Sequence, residues 1–286
     1  MQLVQKEKNI LIVGLGLIGG SYAMGLKKIG FHVIAIDVRK DAIDYALKNG
    51  IIDEGYTENS PEAIGKADLT VFALYPKVFV KWIEDNQQHF RKGTLLTDVT
   101  GVKSCLVYDI QKKLRKDLEF IAAHPMAGKE VYGVENSDDA IFRGANYIVV
   151  PTEHNTKEAI ETCKDIGKLL GFKRVSELSP EAHDKMIGFV SQLTHAIAVS
   201  LMTCCDNEGL VNYTGDSFRD LTRIARINDA MWSELFLLNK DALLAQMDVF
   251  IKEFSDLKDA LAQENSEKIR EKMRLSTARR ALFDKK

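Results

Sequence analysis

The fold of this chain is decided at Gly14-Leu15-Gly16-Leu17-Ile18-Gly19, a glycine-rich stretch between a short apolar run and a segment of helical spacing. In this pattern the first glycine permits a tight turn and the second lets the main chain approach a pyrophosphate. The third lets a helix pack closely on the preceding strand, and the amino end of that helix attracts phosphate charge. The stretch therefore predicts a dinucleotide-binding strand–loop–helix unit.

A second β-rich run ends at Asp37, 18 residues after Gly19. A carboxylate at this strand end binds the ribose 2′-hydroxyl of NAD and repels the 2′-phosphate of NADP. Arg39 and Lys40 lie close by, and because basic residues here favour a phosphate, NADP remains the alternative to the predicted NAD. The predicted cofactor-binding residues are Gly14, Leu15, Gly16, Leu17, Ile18, Gly19, Asp37 and Arg39.

Strand and helix patterns alternate up to about residue 176, which predicts a Rossmann-type doubly wound parallel sheet with helices on both faces. The pattern changes at Ser179 and Pro180, a helix N-cap followed by a residue suited to the first helical position. Only helical spacing follows, with long helices predicted at 180–205 and 230–254. We therefore predict an NAD-binding α/β domain at residues 1–176 and an all-helical domain at 177–286.

The composition excludes several classes of protein. The 286 residues carry a net charge of −2, so there is no electrostatic case for binding nucleic acid or an anionic membrane surface. No uninterrupted apolar segment approaches the ~20 residues that span a bilayer, and residues 1–8 do not resemble a signal peptide. The cysteines have neither disulfide-framework nor zinc-site spacing, which predicts reduced thiols, no metal and a cytoplasmic protein. These cysteines are Cys105, Cys163, Cys204 and Cys205.

His124 ends an apolar run and is followed at once by Pro125 and a turn of small residues. An imidazole with an unperturbed pKa of about 6.5 suits a proton acceptor for alcohol oxidation beside a nicotinamide. Asp98, Thr100 and Gly101 also fall at the carboxyl ends of strands, where open α/β sheets bind ligands. The alternative is a loop histidine that caps main-chain groups.

Blocks of sequence from about residue 9 to 245 resemble the prephenate dehydrogenases, oxidoreductases of tyrosine biosynthesis. They are residues 14–21, 124–128, 133–135, 142–144, 182–184, 191–195, 218–225, 231–232 and 239–240. The resemblance implies NAD-dependent oxidative decarboxylation of prephenate to 4-hydroxyphenylpyruvate, with release of CO₂ and NADH. The catalytic histidine of the family falls on His124, which would accept the proton of the ring hydroxyl. Aromatisation drives the loss of carboxylate, so no metal is required.

The resemblance also implies a substrate-binding set in the helical half. Arg223 matches a carboxylate-binding arginine, and its planar guanidinium suits a carboxylate fork. Arg219 lies one turn earlier on the same helical face, and His195 matches an active-site histidine that shares a face with Ser191. The alternatives are arginines on a solvated helix face and a histidine in the core. His183 is expected to serve only the geometry of its helix.

The chain departs from the family pattern at three places. Gly101 stands where a serine commonly orients the catalytic histidine, so Thr100 or Ser104 is expected to supply that hydroxyl. Gln192 replaces the first histidine of a pair that ends at His195. Lys129 stands where threonine or serine is common. It contacts the substrate if it points inward and is a surface lysine if it points outward, with Glu130 then at the rim of the pocket.

Several readings stay open from the sequence. An arogenate dehydrogenase or a dual-substrate enzyme has the same motifs. A β-hydroxyacid dehydrogenase shares the two-domain plan but relies on a catalytic lysine, and a dinucleotide-sensing protein would have no catalytic use for these side chains. The resemblance implies a homodimer formed through the helical domain. We expect no fused chorismate mutase or ACT-type domain, so tyrosine feedback would have to act at the active site.

Overall fold

The structure, a computed structural model, describes residues 8–206 and 208–283. Eight strands among those residues form one sheet in the order β3-β2-β1-β4-β5-β6-β7-β8. They are β1 (Asn9–Val13), β2 (His32–Ile36), β3 (Glu54–Tyr56), β4 (Leu69–Phe72), β5 (Leu95–Asp98), β6 (Glu119–Met126), β7 (Asn146–Val150) and β8 (Arg174–Glu177).

The sheet is parallel from β3 to β6 and reverses at its last two strands. β7 pairs antiparallel with β6, and β8 pairs parallel with β7. The connection from β6 to β7 contains only short 3₁₀ turns, whereas a parallel neighbour needs a longer crossover, usually through a helix. The predicted parallel sheet is therefore confirmed for six strands and mixed at one edge.

Helices cover both faces of the sheet. The helices of this part are α1 (Leu17–Ile29), α2 (Lys40–Lys48), α3 (Pro61–Lys66), α4 (Pro76–Asn86), α5 (Ser104–Lys113) and α6 (Lys157–Leu169). Alternate residues of β1 face two separate apolar clusters, Ile10 and Ile12 one and Leu11 and Val13 the other. Such burial on both faces is why the central strands are continuous apolar runs. The short elements β3, α3 and α4 are not predicted by the sequence patterns.

Helices alone follow β8 among the described residues. They include α7 (Pro180–Ile187), a π-helical segment (Gly188–Leu193), α8 (Thr194–Thr203), α9 (Asp216–Thr222), α10 (Asp229–Leu238), α11 (Lys240–Ala262) and α12 (Ser266–Arg280). The Ser179 hydroxyl accepts a hydrogen bond from the Ala182 amide at 3.2 Å, so the predicted cap is present. The helix predicted at 230–254 is interrupted at Asn239. The fold class, a Rossmann-type sheet followed by helices, is confirmed.

The helical run Pro180–Thr203 is, by length and composition, apolar enough to cross a membrane, which the sequence patterns do not predict. Its most apolar window is 28% buried. Length and composition alone are weak evidence for a membrane span, because the core helix of a soluble protein passes the same test. The run begins with His183 and Asp184, which are buried against the α/β part.

Candidate active site

The glycine loop between β1 and α1 leaves an open cradle. Gly14 has φ +97°, and a Cβ there would lie 2.5 Å from the carbonyl oxygen of Ala73, which directly follows β4. A Cβ at Gly19 would overlap the carbonyl group of Gly14, whereas one at Gly16 would meet nothing within 4 Å. No side chain caps the amino end of α1 and its first turn has no acidic residue. The loop therefore fits a dinucleotide pyrophosphate.

Asp37 ties the end of β2 to this loop. Its carboxylate accepts hydrogen bonds from the Leu15 amide at 2.6 Å and the Arg39 amide at 2.8 Å. The Arg39 guanidinium lies beside it, with Nε 3.8 Å from Asp37 Oδ1. The carboxylate is 12% exposed and stands where an adenosine ribose binds in this fold. The described geometry thus brings all the predicted cofactor residues to one edge of the sheet.

His124 lies on β6 and is the first member of a hydrogen-bonded chain. Its Nδ1 is 2.9 Å from His183 Nε2, and His183 Nδ1 is 2.8 Å from Asp184 Oδ1. The two oxygens of Asp184 accept the amides of Lys103 and Ser104 at 2.9 and 2.7 Å, at the start of α5. We call His124, His183 and Asp184 the imidazole chain.

The donors and acceptors of the imidazole chain assign its protons. Burial alone would raise the pKa of Asp184, but hydrogen bonds from His183 and Ser104 outweigh it and lower that pKa. A carboxylate only accepts, so His183 donates from Nδ1 and its Nε2 accepts the Nδ1 proton of His124. Burial lowers the pKa of His183. The Nε2 atom of His124 is left with a free lone pair.

Burial also lowers the pKa of His124 well below its ordinary value, and the positive charge of Lys103 and the neighbouring His183 add to this effect. The imidazole is therefore neutral at neutral pH. A neutral imidazole with a free Nε2 lone pair is a general base. The arrangement can accept a proton from a hydroxyl group placed at Nε2.

The prediction that a hydroxyl group of Thr100 or Ser104 is the hydrogen-bond partner of His124 is wrong. The Thr100 hydroxyl bonds to the carboxylate of Asp98, and Ser104 contributes its amide to Asp184. His183, which the sequence suggests only for helix geometry, contacts the imidazole of His124 instead. The reason is that α7 packs its first turn against the start of α5, which carries His183 to the end of β6.

Helix α10 joins the two histidines of the site. A Cβ at Gly101 would lie 3.7 Å from the methyl groups of Leu235 and 4.0 Å from Cε1 of His124. Three residues before Leu235, the ring of Trp232 stacks on His195 with 3.7 Å between centroids and 28° between planes. Residues three apart share a helix face, so one face of α10 contacts His195 and lies beside Gly101, the neighbour of His124.

His195 is held by the main chain of Ser191 rather than by its hydroxyl. His195 Nδ1 is 2.9 Å from the Ser191 carbonyl oxygen, so Nδ1 donates and Nε2 is free to accept. Burial lowers the pKa of His195, and the charges of Glu130 and Arg223 act on it in opposite directions. The structure therefore brings together four of the residues predicted on the substrate side, which are Ser191, His195, Glu130 and Arg223.

Arg223 and Glu130 form an ion pair between the helical part and the loop that follows β6. The Arg223 side chain is 63% exposed, so it is accessible to a ligand. Lys129 lies 3.5 Å from Asp138 and does not point toward this pair. Of these two neighbours, Glu130 is therefore the one that is paired with Arg223.

Arg219 is engaged locally. Its guanidinium donates to the carbonyl oxygen of Thr214 at 2.7 Å and to the carboxylate of Asp216 at 3.2 Å. Both partners belong to the segment around the start of α9. The predicted role of Arg219 in binding substrate stays a prediction.

The departure at Gln192 has a packing explanation. Gln192 is buried, donates to the Leu235 carbonyl oxygen at 3.0 Å and accepts from Asn239 at 2.7 Å. Asn239 also donates to the Asp184 carbonyl oxygen at 2.9 Å. The amide pair therefore joins the corner between α10 and α11 to α7.

Helix α10 also contacts the α/β part at the amino end of α4. The Glu234 carboxylate accepts the Lys77 amide at 2.8 Å, and Asn228 donates to the Tyr75 hydroxyl at 3.0 Å. Tyr75 follows β4, on the same edge of the sheet as the glycine loop. Helix α10 thus joins the helical part to α4 on this side of the site.

Sequence reasoning missed His183, Asp184 and Lys103. The available signal was a His-Asp pair in the first turn of a helix that begins with Ser-Pro. Its contact with His124 spans 59 residues of chain, which no local pattern reports.

Two family profiles match the chain. The prephenate dehydrogenase nucleotide-binding domain matches residues 22–176, and the prephenate dehydrogenase dimerization domain matches residues 179–275. Together they span most of the chain, including both histidines of the site and Arg223.

Individual relatives agree with the profiles. The chain is 32% identical to a prephenate dehydrogenase of Bacillus subtilis over 93% of this chain and 73% of that protein. It is 26% identical to a cyclohexadienyl dehydrogenase of Zymomonas mobilis over 91% and 90%. A crystal structure of prephenate dehydrogenase from Aquifex aeolicus, in complex with hydroxyphenyl propionate and NAD⁺, matches with a TM-score of 0.89 and 31% identity over 96% and 98%. The chain therefore belongs to the prephenate dehydrogenase family and is a dehydrogenase.

Proposed function

We propose that this dehydrogenase converts prephenate to 4-hydroxyphenylpyruvate by NAD-dependent oxidative decarboxylation, in tyrosine biosynthesis in the cytoplasm. The observation that carries the proposal is the free Nε2 atom of His124, which the imidazole chain holds neutral at the carboxyl edge of the sheet. The related Aquifex aeolicus enzyme, whose crystal structure is a complex with NAD⁺ and hydroxyphenyl propionate, supports a nicotinamide cofactor and an aromatic-ring ligand.

The cofactor residues fit NAD. The open face above Gly16 would take the pyrophosphate, with the amino end of α1 supplying uncapped amides. Asp37 would bind the ribose hydroxyls, and Arg39 would lie beside the ribose. When bound, NAD accepts a hydride from the substrate.

His124 then acts on the hydroxyl group of the ring. Its Nε2 accepts the hydroxyl proton as the ring carbon that bears this hydroxyl is oxidised, and the imidazole becomes a cation. The Nδ1 proton stays bonded to His183 throughout, so the ring keeps its orientation. Asp184 stabilises the new positive charge through His183, in the way that a buried carboxylate supports a catalytic histidine. Loss of the ring carboxylate as CO₂ completes the aromatic ring.

Arg223 anchors a substrate carboxylate. Its guanidinium is exposed and forms an ion pair with Glu130 of the α/β part, so a carboxylate can join or replace that contact. His195 and Ser191 form the adjoining wall. We assign Arg219 and Lys129 to the outer rim, where positive charge attracts a dianionic substrate.

Arogenate is the second candidate substrate. It has an amino group where prephenate has a keto group, and the Glu130 carboxylate at the rim is a suitable acceptor for an ammonium. The relation to a cyclohexadienyl dehydrogenase is consistent with use of both substrates.

We further propose a homodimer through the helical part. Its helices expose large apolar side chains, including Leu237, Val249, Ile251, Phe254 and Leu261. Large exposed apolar patches mark interfaces, and a second copy would cover the apolar helix Pro180–Thr203 as well. The match of residues 179–275 to a dimerization domain supports this assembly.

The test follows the formation of NADH from NAD with prephenate and with arogenate. We expect turnover with prephenate, and a faster rate with arogenate would reassign the substrate. Absence of NADH with both compounds, in protein shown to bind NAD, would refute the proposed function.

A further inference from the structure

Lys103 is a lysine with no solvent exposure, lying between β5, β6 and the start of α5. Its ammonium is 2.7 Å from Asp98 Oδ2, 2.6 Å from the Ala123 carbonyl oxygen and 3.2 Å from the Thr100 hydroxyl. An ammonium has three N–H donors, and all three have acceptors here. Lys103 therefore has no donor left for a substrate and is not a catalytic lysine.

Lys103 and Asp98 both form hydrogen bonds with the main chain of Ala123. The Ala123 amide donates to Asp98 Oδ1 at 3.1 Å, while its carbonyl oxygen accepts from Lys103. The main-chain pairing of β5 with β6 ends at Thr97 and Ile121. Beyond that point the side chains of Asp98 and Lys103, rather than the main chain of β5, form the hydrogen bonds to the main chain of Ala123. The residue they hold is the one immediately before His124.

We propose that Lys103 is a positioning residue for His124, which it fixes by holding the main chain of Ala123 together with Asp98. The inference rests on the proposed function, because it takes His124 as the base.

Lys103 also reaches the far end of the imidazole chain. Its own amide donates to Asp184 at 2.9 Å, so the main chain of one residue holds Asp184 while its side chain holds the strand before His124. The two ends of the imidazole chain are thereby set at a fixed separation.

The positive charge of Lys103 lowers the pKa of His124, as burial does. The titratable groups around His124 are His183 from α7 and Lys103 before α5, with Asp184 bonded to His183 and Asp98 bonded to Lys103. After burial and His183, the Lys103 ammonium is the next cause of the lowered pKa of His124. Removal of this charge should raise that pKa.

The test compares Lys103→Met/Asp98→Asn with the wild type. Both charges are removed together, because removal of one leaves an uncompensated buried charge and destabilises the fold. We measure the pKa of the His124 imidazole by NMR, assigned with His124→Asn, together with the pH profile of kcat and the Tm. We expect the pKa to rise, the acid limb of kcat to move up by the same amount, and kcat to fall at least about tenfold.

Two further variants sharpen the result. Lys112→Met removes an exposed lysine of the same helix α5 and should leave the pKa of His124 and kcat unchanged. Lys103→Gln/Asp98→Asn keeps a donor for Ala123 and also removes both charges, so kcat should fall less than in the Lys103→Met/Asp98→Asn variant while the pKa of His124 still rises. Because both of its new side chains can form hydrogen bonds, it also serves if the first double variant does not fold.

The outcomes separate the two proposals. A lower Tm with an unchanged His124 pKa and an unmoved acid limb would show that Lys103 is only structural, and would overturn the inference. If the wild type does not oxidise prephenate or arogenate but the pKa still rises in the variants, the proposed function fails and the effect of Lys103 on His124 stands.

Discussion

The glycine loop and the imidazole chain lie at the same edge of one sheet, but they are built in different ways. The turn of the loop and its link to Asp37 are local and lie within one βαβ unit, whereas its close approach to Ala73 involves the more distant strand β4. The imidazole chain joins β6 to α7 across 59 residues and α7 to α5 across 81. A cofactor site can therefore be specified by a short motif, whereas the protonation state of the base depends on how distant elements pack.

The strongest test of this contrast is His124→Asn. Asparagine has no basic nitrogen, so kcat should fall by about 10²- to 10⁴-fold, the usual contribution of a general base. The affinity for NAD should not change, because the loop does not depend on His124. Measurement of kcat and of NAD binding by fluorescence checks both parts, and a near-normal rate would eliminate His124 as the base.

In the helical half, Arg223→Ala should raise KM for prephenate about 10- to 100-fold, since a charge-assisted hydrogen bond contributes about 1.5–3 kcal/mol. The effect on kcat should be smaller. The matched control is Arg219→Ala, which removes an arginine bonded to Thr214 and Asp216. Steady-state kinetics compares them, and an equal rise in KM for both would place Arg219 in the site.

The imidazole chain itself is tested by the substitution His183→Phe. The imidazole of His124 would lose the acceptor for its Nδ1 proton, which leaves a buried donor unsatisfied at a cost of about 1–3 kcal/mol. We expect kcat to fall up to about 100-fold while the affinity for NAD is retained. Retained kcat would mean that another group orients His124.

The pH dependence follows from the lowered pKa values of His124 and His183. The base must be neutral, so the acid limb of kcat should lie below the ordinary histidine pKa of about 6.5. The unfolded chain takes up protons first as the pH falls through about 6.5, so the Tm should fall there too. Rate profiles and thermal melts over this range check both statements. An acid limb above the ordinary value would contradict the burial of His124.

The smallest effect is expected at the loop, from Asp37→Ser. Loss of the carboxylate removes its repulsion of a 2′-phosphate and leaves Arg39 to attract it, so the ratio of kcat/KM for NADP to that for NAD should rise. The pH profile of kcat should stay in place, because the imidazole chain does not contact Asp37. An unchanged ratio would show that Asp37 does not select the nucleotide.

The sequence predicted what depends on local pattern. The glycine loop, the strand end at Asp37 and the helix that begins at Pro180 all follow from spacing and capping, whereas β6 continues past the strand end expected at His124 to Met126. The reversal of β7 was not predicted, because nothing in its apolar run reports direction. The partner of His124 was predicted incorrectly, since the expectation looked for a nearby hydroxyl at Thr100 or Ser104 and the acceptor came from α7.

The contacts of α10 with α4 have a consequence for product release. Displacement of α10 would expose the amino end of α4, which Glu234 caps, and would separate Trp232 from His195. On the side of the site away from α4, the exposed ion pair of Arg223 and Glu130 joins the two parts, and exposed ion pairs contribute little to stability. The aromatic product is therefore expected to leave past Arg223, so that the proposed anchor of the substrate carboxylate also lies on the exit path.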